Sequence, residues 1–180
     1  MSSQKKFDIF LSYQWSKKNE VNELYTKLTS DLEYKVWMDD YQLVATASLY
    51  DQLAKGLNDS KCLVACVTEK YCQSENCKLE LEYAQTNKIP IICIMLEKLP
   101  LNEGSISLLI NSKLRLNFYH INEESDLWSG VMFEKLKESI QIAMNSPNII
   151  NVSKINNTVN ININQTGEKK SWISNPKYKK

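Results

Sequence analysis

The sequence predicts an α/β domain in which helices cover both faces of a parallel β-sheet. Two observations indicate this fold class. Short apolar segments rich in β-branched residues alternate with longer segments whose apolar residues recur at helical spacing. The short segments are also apolar at consecutive positions rather than at every second one, and this pattern is typical of strands that are buried on both sides.

The predicted strands and helices follow one another along the first 144 residues. Strands are expected at residues 7–12, 34–38, 62–67, 89–96 and 114–119. Helices are expected at residues 16–32, 48–57, 74–87 and 126–144, with Ser74 as the N-cap of the third helix. Five such units form a flavodoxin-like doubly wound sheet with the expected strand order 2-1-3-4-5. Ligands of such sheets bind beyond the carboxyl ends of the strands, near the point where the strand order reverses.

The composition divides the chain into a domain and a tail. The 180 residues carry a net charge of +1, which excludes strong attraction of the whole chain to nucleic acid. Residues 1–144 contain 16 Lys and Arg and 20 Asp and Glu, whereas residues 145–180 contain six Lys, one Glu and nine Asn. Residues 158–164 alternate polar and apolar side chains, so the tail is either a linker or a self-assembly segment.

Three features predict a cytoplasmic protein. The first apolar run is short and contains Asp8, so no signal peptide is expected. No apolar segment approaches the roughly 20 residues that span a bilayer. The five Cys are odd in number, and Cys62, Cys66 and Cys93 lie in strand-like segments, which predicts free thiols. The single His and the scattered Cys give no metal-ligand spacing, so no metal site is expected.

Polar and aromatic residues follow the first two predicted strands. Tyr13, Gln14 and Trp15 come after the first strand, and Asp39 comes after the second. All four are candidate substrate-binding residues, although Asp39 alternatively pairs with a cation or caps the following loop. Aromatic rings at this edge can stack on a base, so Tyr13, Trp15 and Trp37 are candidate ligand-binding residues, although Trp37 is alternatively part of the core. None of the four Gly follows a strand closely, which excludes the Gly-rich phosphate loops. The third strand does not end in Asp, which excludes a two-component receiver.

The third predicted helix carries a carboxylate at the margin of its buried face. Helical spacing places on the inward stripe Cys77, Leu81 and Ala84. Glu80 lies at the edge of this stripe, whereas Glu82 points outward. A carboxylate at such a margin is costly unless a partner binds it. Glu80 is therefore either a structural residue paired with a Lys or a backbone group, or a partly desolvated carboxylate that faces the ligand edge.

Several segments resemble the Toll/interleukin-receptor (TIR) domain family. Residues 7–13, FDIFLSY, look like its opening box, and residues 36–39, VWMD, look like its second strand. Residues 71–80, YCQSENCKLE, are similar to the Ser-x-x-Cys-x-x-Glu segment of TIR domains that consume NAD. Residues 89–92, IPII, match the usual fourth strand, and residues 128–133 match the last helix. The resemblance covers most of the predicted domain and implies the same fold.

The resemblance implies two functions of different classes. The first is NAD glycohydrolase or cyclase chemistry that cleaves the nicotinamide–ribose bond, with NAD as substrate and without a separate cofactor. Glu80 is then the catalytic residue, and Ser74 and Cys77 line the pocket. The second is a non-enzymatic adaptor that acts by homotypic TIR–TIR interaction. Both belong to immune, cell-death or defence signalling, and in both the expected partners are other TIR domains, with self-association as the activating step for the enzyme.

Two positions depart from the family pattern. The loop at residues 40–48 contains neither the Gly nor the Pro that is usual there, so a stiffer or differently shaped loop is expected. Gln14 stands where the family usually has a basic residue, so a phosphate contact is expected to be missing at this position.

Overall fold

The computed structural model describes residues 5–42, 48–102, 104–120 and 126–145. Over these residues a five-stranded sheet runs in the order β2-β1-β3-β4-β5, and each neighbouring pair of strands is parallel. The strands are β1 Phe7–Tyr13, β2 Val36–Trp37, β3 Ser60–Val67, β4 Ile91–Met95 and β5 Leu114–Asn117. The predicted fold class and strand order are confirmed.

Helices connect the strands along the described residues. They are α1 Lys18–Thr26, α2 Asp39–Gln42, α3 Leu49–Asn58, α4 Glu69–Gln73, α5 Glu75–Thr86, α6 Ser105–Asn111 and α7 Gly130–Asn145. A 3-10 turn at Trp15–Lys17 precedes α1, and a π-helical turn at Lys27–Asp31 extends it. A second 3-10 turn, Phe118–His120, follows β5. The predicted helix at 16–32 is thus one continuous helical segment in three different geometries.

The sequence did not predict α2, α4 and α6. Each has only four to seven residues, fewer than the roughly 11–18 residues over which helical periodicity can be recognised. The second strand is also shorter than the expected 34–38. It lies at the edge of the sheet and pairs with β1 at only two positions, Ile9 with Val36 and Phe10 with Trp37.

Apolar side chains form one cluster on each face of the sheet. On one face Ile9 and Leu11 of β1 pack with residues of α1 and α7. On the other face Phe10 packs with residues of α3 and α5. Successive side chains of a strand point to opposite faces, so an uninterrupted apolar run serves both clusters at once. This arrangement confirms helices on both faces and places α3 and α5 on the same face of the sheet.

Two expectations concern residues outside the described ranges. Residues 43–47, the centre of the Gly-free loop, are not described, and neither are residues 146–180 of the tail. The shape of that loop and the division into domain and tail therefore stay predictions. Within the described ranges, no helix is long and apolar enough to cross a membrane.

Gly56 of α3 packs directly against the Trp37 indole of β2. A Cβ atom at position 56 would lie 2.6 Å from Cε2 of Trp37, a ring that is also stacked on Phe10 with centroids 4.3 Å apart. Overpacking of this kind costs about 1–3 kcal/mol, whereas Ala gains at most about 1 kcal/mol over Gly in a helix. We therefore expect Gly56→Ala to lower the free energy of unfolding by about 1 kcal/mol, measured by urea denaturation.

A neighbouring substitution provides the control for this prediction. Lys55 precedes Gly56 in α3 and is exposed. Lys55→Ala is expected to change the free energy of unfolding by less than about 0.5 kcal/mol. A Gly56→Ala protein as stable as the wild type would show that α3 does not need the close approach to Trp37.

Candidate functional site

A cavity of about 210 Å³ opens at the carboxyl edge of the sheet. It lies where the strand order reverses, since β1 has β2 on one side and β3 on the other. The cavity is lined by the end of β1 and the turn after it, the start of α2, one side of α3 and the first half of α5. Its lining residues are Tyr13, Gln14, Trp15, Asp39, Leu49, Leu53, Ser74, Asn76, Cys77 and Glu80.

The N-terminus of α5 sets the direction of two lining residues. Ser74 is the N-cap as predicted, and its Oγ accepts a hydrogen bond of 3.4 Å from the backbone N–H of Cys77. A helix that begins at Glu75 places Cys77 and Glu80 on one face, three residues apart. The Cys77 thiol also contacts the carbonyl oxygen of Tyr13 at 3.5 Å. The helix is thereby fixed against the end of β1, with Glu80 directed to the cavity.

One oxygen of Glu80 is held inside the protein. Its Oε2 accepts a hydrogen bond of 2.5 Å from Oγ of Ser12, and the Ser12 hydroxyl also lies 2.7 Å from the hydroxyl of Tyr71. Ser12 and Tyr71 are both buried. The other oxygen, Oε1, forms no hydrogen bond to any residue that the structure describes. Ser12 therefore holds one oxygen of Glu80 on the side away from the cavity, and the other oxygen is available to a ligand.

Burial is the main influence on the charge of Glu80. It raises the pKa of Glu80 to about 7, the Ser12 hydrogen bond opposes this rise, and the nearby Asp39 carboxyl adds to it. Burial likewise raises the pKa of Asp39, while the neighbouring Tyr13 side chain opposes the rise. Burial and the Glu80 charge raise the pKa of Cys77 to about 12, so this thiol stays protonated and is a poor nucleophile.

The cavity is acidic. Asp39 and Glu80 line it, and none of its lining residues within the described ranges is basic. At its rim lies Lys18, whose Nζ is 2.6 Å from a carboxylate oxygen of Asp40 and 4.7 Å from the centre of the Trp15 ring. A site with this charge favours a cationic or electron-poor group inside the cavity and leaves anionic groups outside.

The structure brings together every predicted site residue except Trp37. Gln14 lies at the rim, where its side chain accepts a 2.8 Å hydrogen bond from the backbone N–H of Ser16 and caps the following 3-10 turn. Trp15 is 62% exposed beside it. Trp37 is buried against Phe10 and does not line the cavity. The candidate ligand-binding role of Trp37 is thus corrected to the alternative, a position in the core, because its side chain packs under Gly56 of α3.

Sequence reasoning missed Ser12 and Tyr71, which bind Glu80 from behind, and the lining residues Leu49, Leu53 and Asn76. One signal for Ser12 was present. The period of two along β1 places this hydroxyl on a buried face of a central strand, where a polar group requires a partner. The identity of that partner depends on how α4 and α5 dock on the sheet, which the local sequence pattern does not specify.

The sequence matches the family model described as TIR domain over residues 9–129. The chain belongs to the TIR domain family. This confirms the family expected from the sequence motifs, and the match includes all residues that line the cavity. No curated protein matches the chain significantly.

Solved structures share the TIR fold of this chain. The TIR domain of the Toll-related receptor TRR-2 from Hydra magnipapillata is similar with a TM-score of 0.62 and 11% identity, over 76% of this chain and 99% of that one. A prokaryotic SEFIR domain is similar with a TM-score of 0.55 and 17% identity, over 73% of this chain and 96% of that one. Identities this low show a common fold, whereas the chemistry has to be inferred from the site itself.

Proposed function

We propose that this TIR domain is an NAD glycohydrolase or cyclase that cleaves the nicotinamide–ribose bond in immune, cell-death or defence signalling. The observation that carries the proposal is Glu80, a largely desolvated carboxylate with one oxygen held by Ser12 and the other available in an acidic cavity. Asp39 is the other carboxylate that the described residues bring to this cavity, and its Oδ1 accepts a hydrogen bond from the backbone N–H of Asp40 on the surface rather than from a buried side chain. NAD enters as the substrate, and the site needs no further cofactor.

The reaction places few demands on the protein. The nicotinamide of NAD is a pyridinium cation, so breaking its bond to ribose releases neutral nicotinamide and requires no strong acid. Positive charge moves onto the ribose in an oxocarbenium-like transition state. A fixed carboxylate beside the ribose stabilises this charge and can bind the ribose hydroxyls. Glu80 has the orientation for this role, and Asp39 lines the same cavity close to the developing positive charge on the ribose.

The size of the cavity fits only part of the substrate. Its volume of about 210 Å³ is below the roughly 300–1,000 Å³ of pockets that enclose a drug-sized ligand. The nicotinamide ring and its ribose would occupy the acidic interior, with the exposed Trp15 ring at the rim available for stacking. The phosphates and adenine would then extend outside, where a second copy could contact them. This geometry supports activation by self-association.

A non-enzymatic adaptor is the second candidate function, and a specific surface favours it. A groove of about 300 Å³ runs between α3 and α5 beside the cavity. Three large apolar residues are exposed near or in it: Leu49, Tyr50 and Leu79. Exposed apolar side chains that lie close together are typical of interaction surfaces. An adaptor would use such a surface to bind other TIR domains without chemistry.

Nicotinamide release separates the two functions. The full chain, at low and at high concentration and with a crowding agent, is incubated with NAD, and nicotinamide and the nucleotide products are quantified by chromatography. We expect release that rises more than linearly with protein concentration, with ADP-ribose, a cyclic isomer or a base-exchanged nucleotide as the second product. An assembled wild-type protein that releases no nicotinamide would exclude the enzyme and favour the adaptor.

A further inference from the structure

We propose that Ser12 and Tyr71 form a hydroxyl relay that orients the Glu80 carboxylate and stabilises its charge. Ser12 is thus a positioning residue, because it does not line the cavity and acts through Glu80 alone. Tyr71 supports Ser12 from the far side. The inference rests on the proposed function in so far as Glu80 is the catalytic residue, but the relay itself can be tested without any turnover.

The relay connects three elements of the fold. Ser12 is at the carboxyl end of β1, Tyr71 is in the first turn of α4, and Glu80 is in the middle of α5. Tyr71 is fully buried, and its backbone N–H donates a 3.0 Å hydrogen bond to Oγ1 of Thr68, the N-cap of α4. The phenol is therefore fixed by the helix start. Its hydroxyl lies 2.7 Å from Ser12, which in turn lies 2.5 Å from Glu80.

Only one direction of donation along this chain of hydrogen bonds gives every hydroxyl proton an acceptor. Tyr71 donates its O–H to Ser12, and Ser12 donates its O–H to Oε2 of Glu80. In the opposite direction the Tyr71 proton would have no acceptor among the described residues, because Ser12 is the partner of its hydroxyl. Oε2 is thereby kept as an acceptor. A hydrogen bond to an ionised oxygen is roughly twice as strong as one to a neutral oxygen, so the relay favours the carboxylate.

The relay counteracts groups that disfavour the carboxylate. The titratable residues around Glu80 line the cavity or the adjacent groove with it, or approach it from behind through Ser12; they are Tyr13, Asp39, Tyr50, Asp51, Tyr71, Cys77 and Tyr83. Burial raises the pKa of both Tyr71 and Cys77, so both are neutral at physiological pH. Asp39 raises the pKa of Glu80 together with burial, and Ser12 is the group that lowers it.

The relay is tested by titrating Glu80 itself. The ¹³C shift of the Glu80 side-chain carboxyl is followed by NMR in the full chain from about pH 5 to about pH 9, with Glu80→Gln identifying the signal. Ser12→Ala removes the hydrogen bond to the ionised form, so we expect the pKa of Glu80 to rise by about one unit. Tyr71→Phe should give a smaller rise. Ser12→Thr keeps the hydroxyl and should restore the wild-type value.

Activity provides a second measurement. If the wild type releases nicotinamide, its kcat/KM should fall at acid pH as Glu80 is protonated. In Ser12→Ala this fall should begin at a higher pH, by the same number of pH units as the rise in the pKa of Glu80. A purely structural role would lower the rate equally at every pH. If no protein releases nicotinamide, the proposed function fails, while the NMR titration still decides on the relay.

Ser60→Ala is the matched control. Ser60 is another buried strand serine, and its Oγ donates to the carbonyl oxygen of Gly56 at the opposite end of the sheet. This variant should leave the pKa of Glu80 unchanged. An unchanged pKa in folded Ser12→Ala, or an equal rise in Ser60→Ala, would overturn the relay. If Ser12→Ala does not fold, Tyr71→Phe decides, with an unchanged pKa in that variant overturning the proposal.

Discussion

Glu80→Gln is expected to release nicotinamide about a hundred- to a thousandfold more slowly than the wild type. Gln has nearly the same shape, and its amide oxygen can still accept the hydrogen bond from Ser12. The variant therefore keeps the cavity and loses only the negative charge. Loss of one preorganised electrostatic group costs about 3 kcal/mol or more in the transition state, which corresponds to that range of rates.

The same residue sets the expected pH dependence of the rate. The carboxylate form of Glu80 stabilises positive charge, and burial raises the pKa of this group to about 7. In the free enzyme kcat/KM should therefore fall about tenfold for each pH unit below this value. The cationic nicotinamide favours the ionised form once NAD is bound, so the limb in kcat should lie at lower pH.

Glu82→Gln is the control for the rate. Glu82 is on the same helix but exposed, so its substitution changes the net charge by the same amount without altering the cavity. We expect its rate to equal that of the wild type within about twofold. Nicotinamide release by Glu80→Gln at more than about a tenth of the wild-type rate would contradict an electrostatic role for the carboxylate.

The fold class could be predicted from the sequence because strands that are buried on both faces of a sheet are apolar at consecutive positions. Residues 62–67 of β3 and 91–95 of β4 are all apolar, and a strand requires apolar side chains at every position only when both of its faces are covered. The order of the strands followed from the doubly wound architecture. What the pattern could not give is the length of the edge strand β2, because pairing at two positions depends on the twist and docking of neighbouring segments.

The site was predictable where it depends on a single element. The N-cap at Ser74 and the helical spacing to Cys77 and Glu80 are local properties, and they were sufficient to place a carboxylate at the cavity. The partner of that carboxylate was not predictable, because Ser12 and Tyr71 come from two other elements whose register only the folded chain defines. The choice between the ligand edge and the core for Trp37 stayed open in the sequence for the same reason.

The position of Glu80 carries a cost for folding. Burial raises its pKa from 4.5 to about 7, which means that the folded protein disfavours the ionised form relative to the unfolded chain. Below the unfolded pKa the side chain is neutral in both states, and there is no penalty. As pH rises from 4.5 through about 7, the unfolded chain releases its proton first, so stability is progressively lost. At higher pH the penalty is constant.

Glu80→Gln is therefore expected to be more stable than the wild type at alkaline pH, by up to about 3 kcal/mol in the free energy of unfolding. The gain should shrink as pH falls and level off near zero below 4.5, where Glu80 becomes neutral in both states. Urea denaturation of both proteins across this pH range measures the difference between their free energies of unfolding. Groups other than Glu80 titrate alike in both proteins, so their contributions cancel in this difference. The exposed Glu82→Gln should show no such trend. A Glu80→Gln difference that is constant with pH would mean that Glu80 titrates in the folded protein as it does in the unfolded chain, and that the protein does not hold a desolvated carboxylate for catalysis.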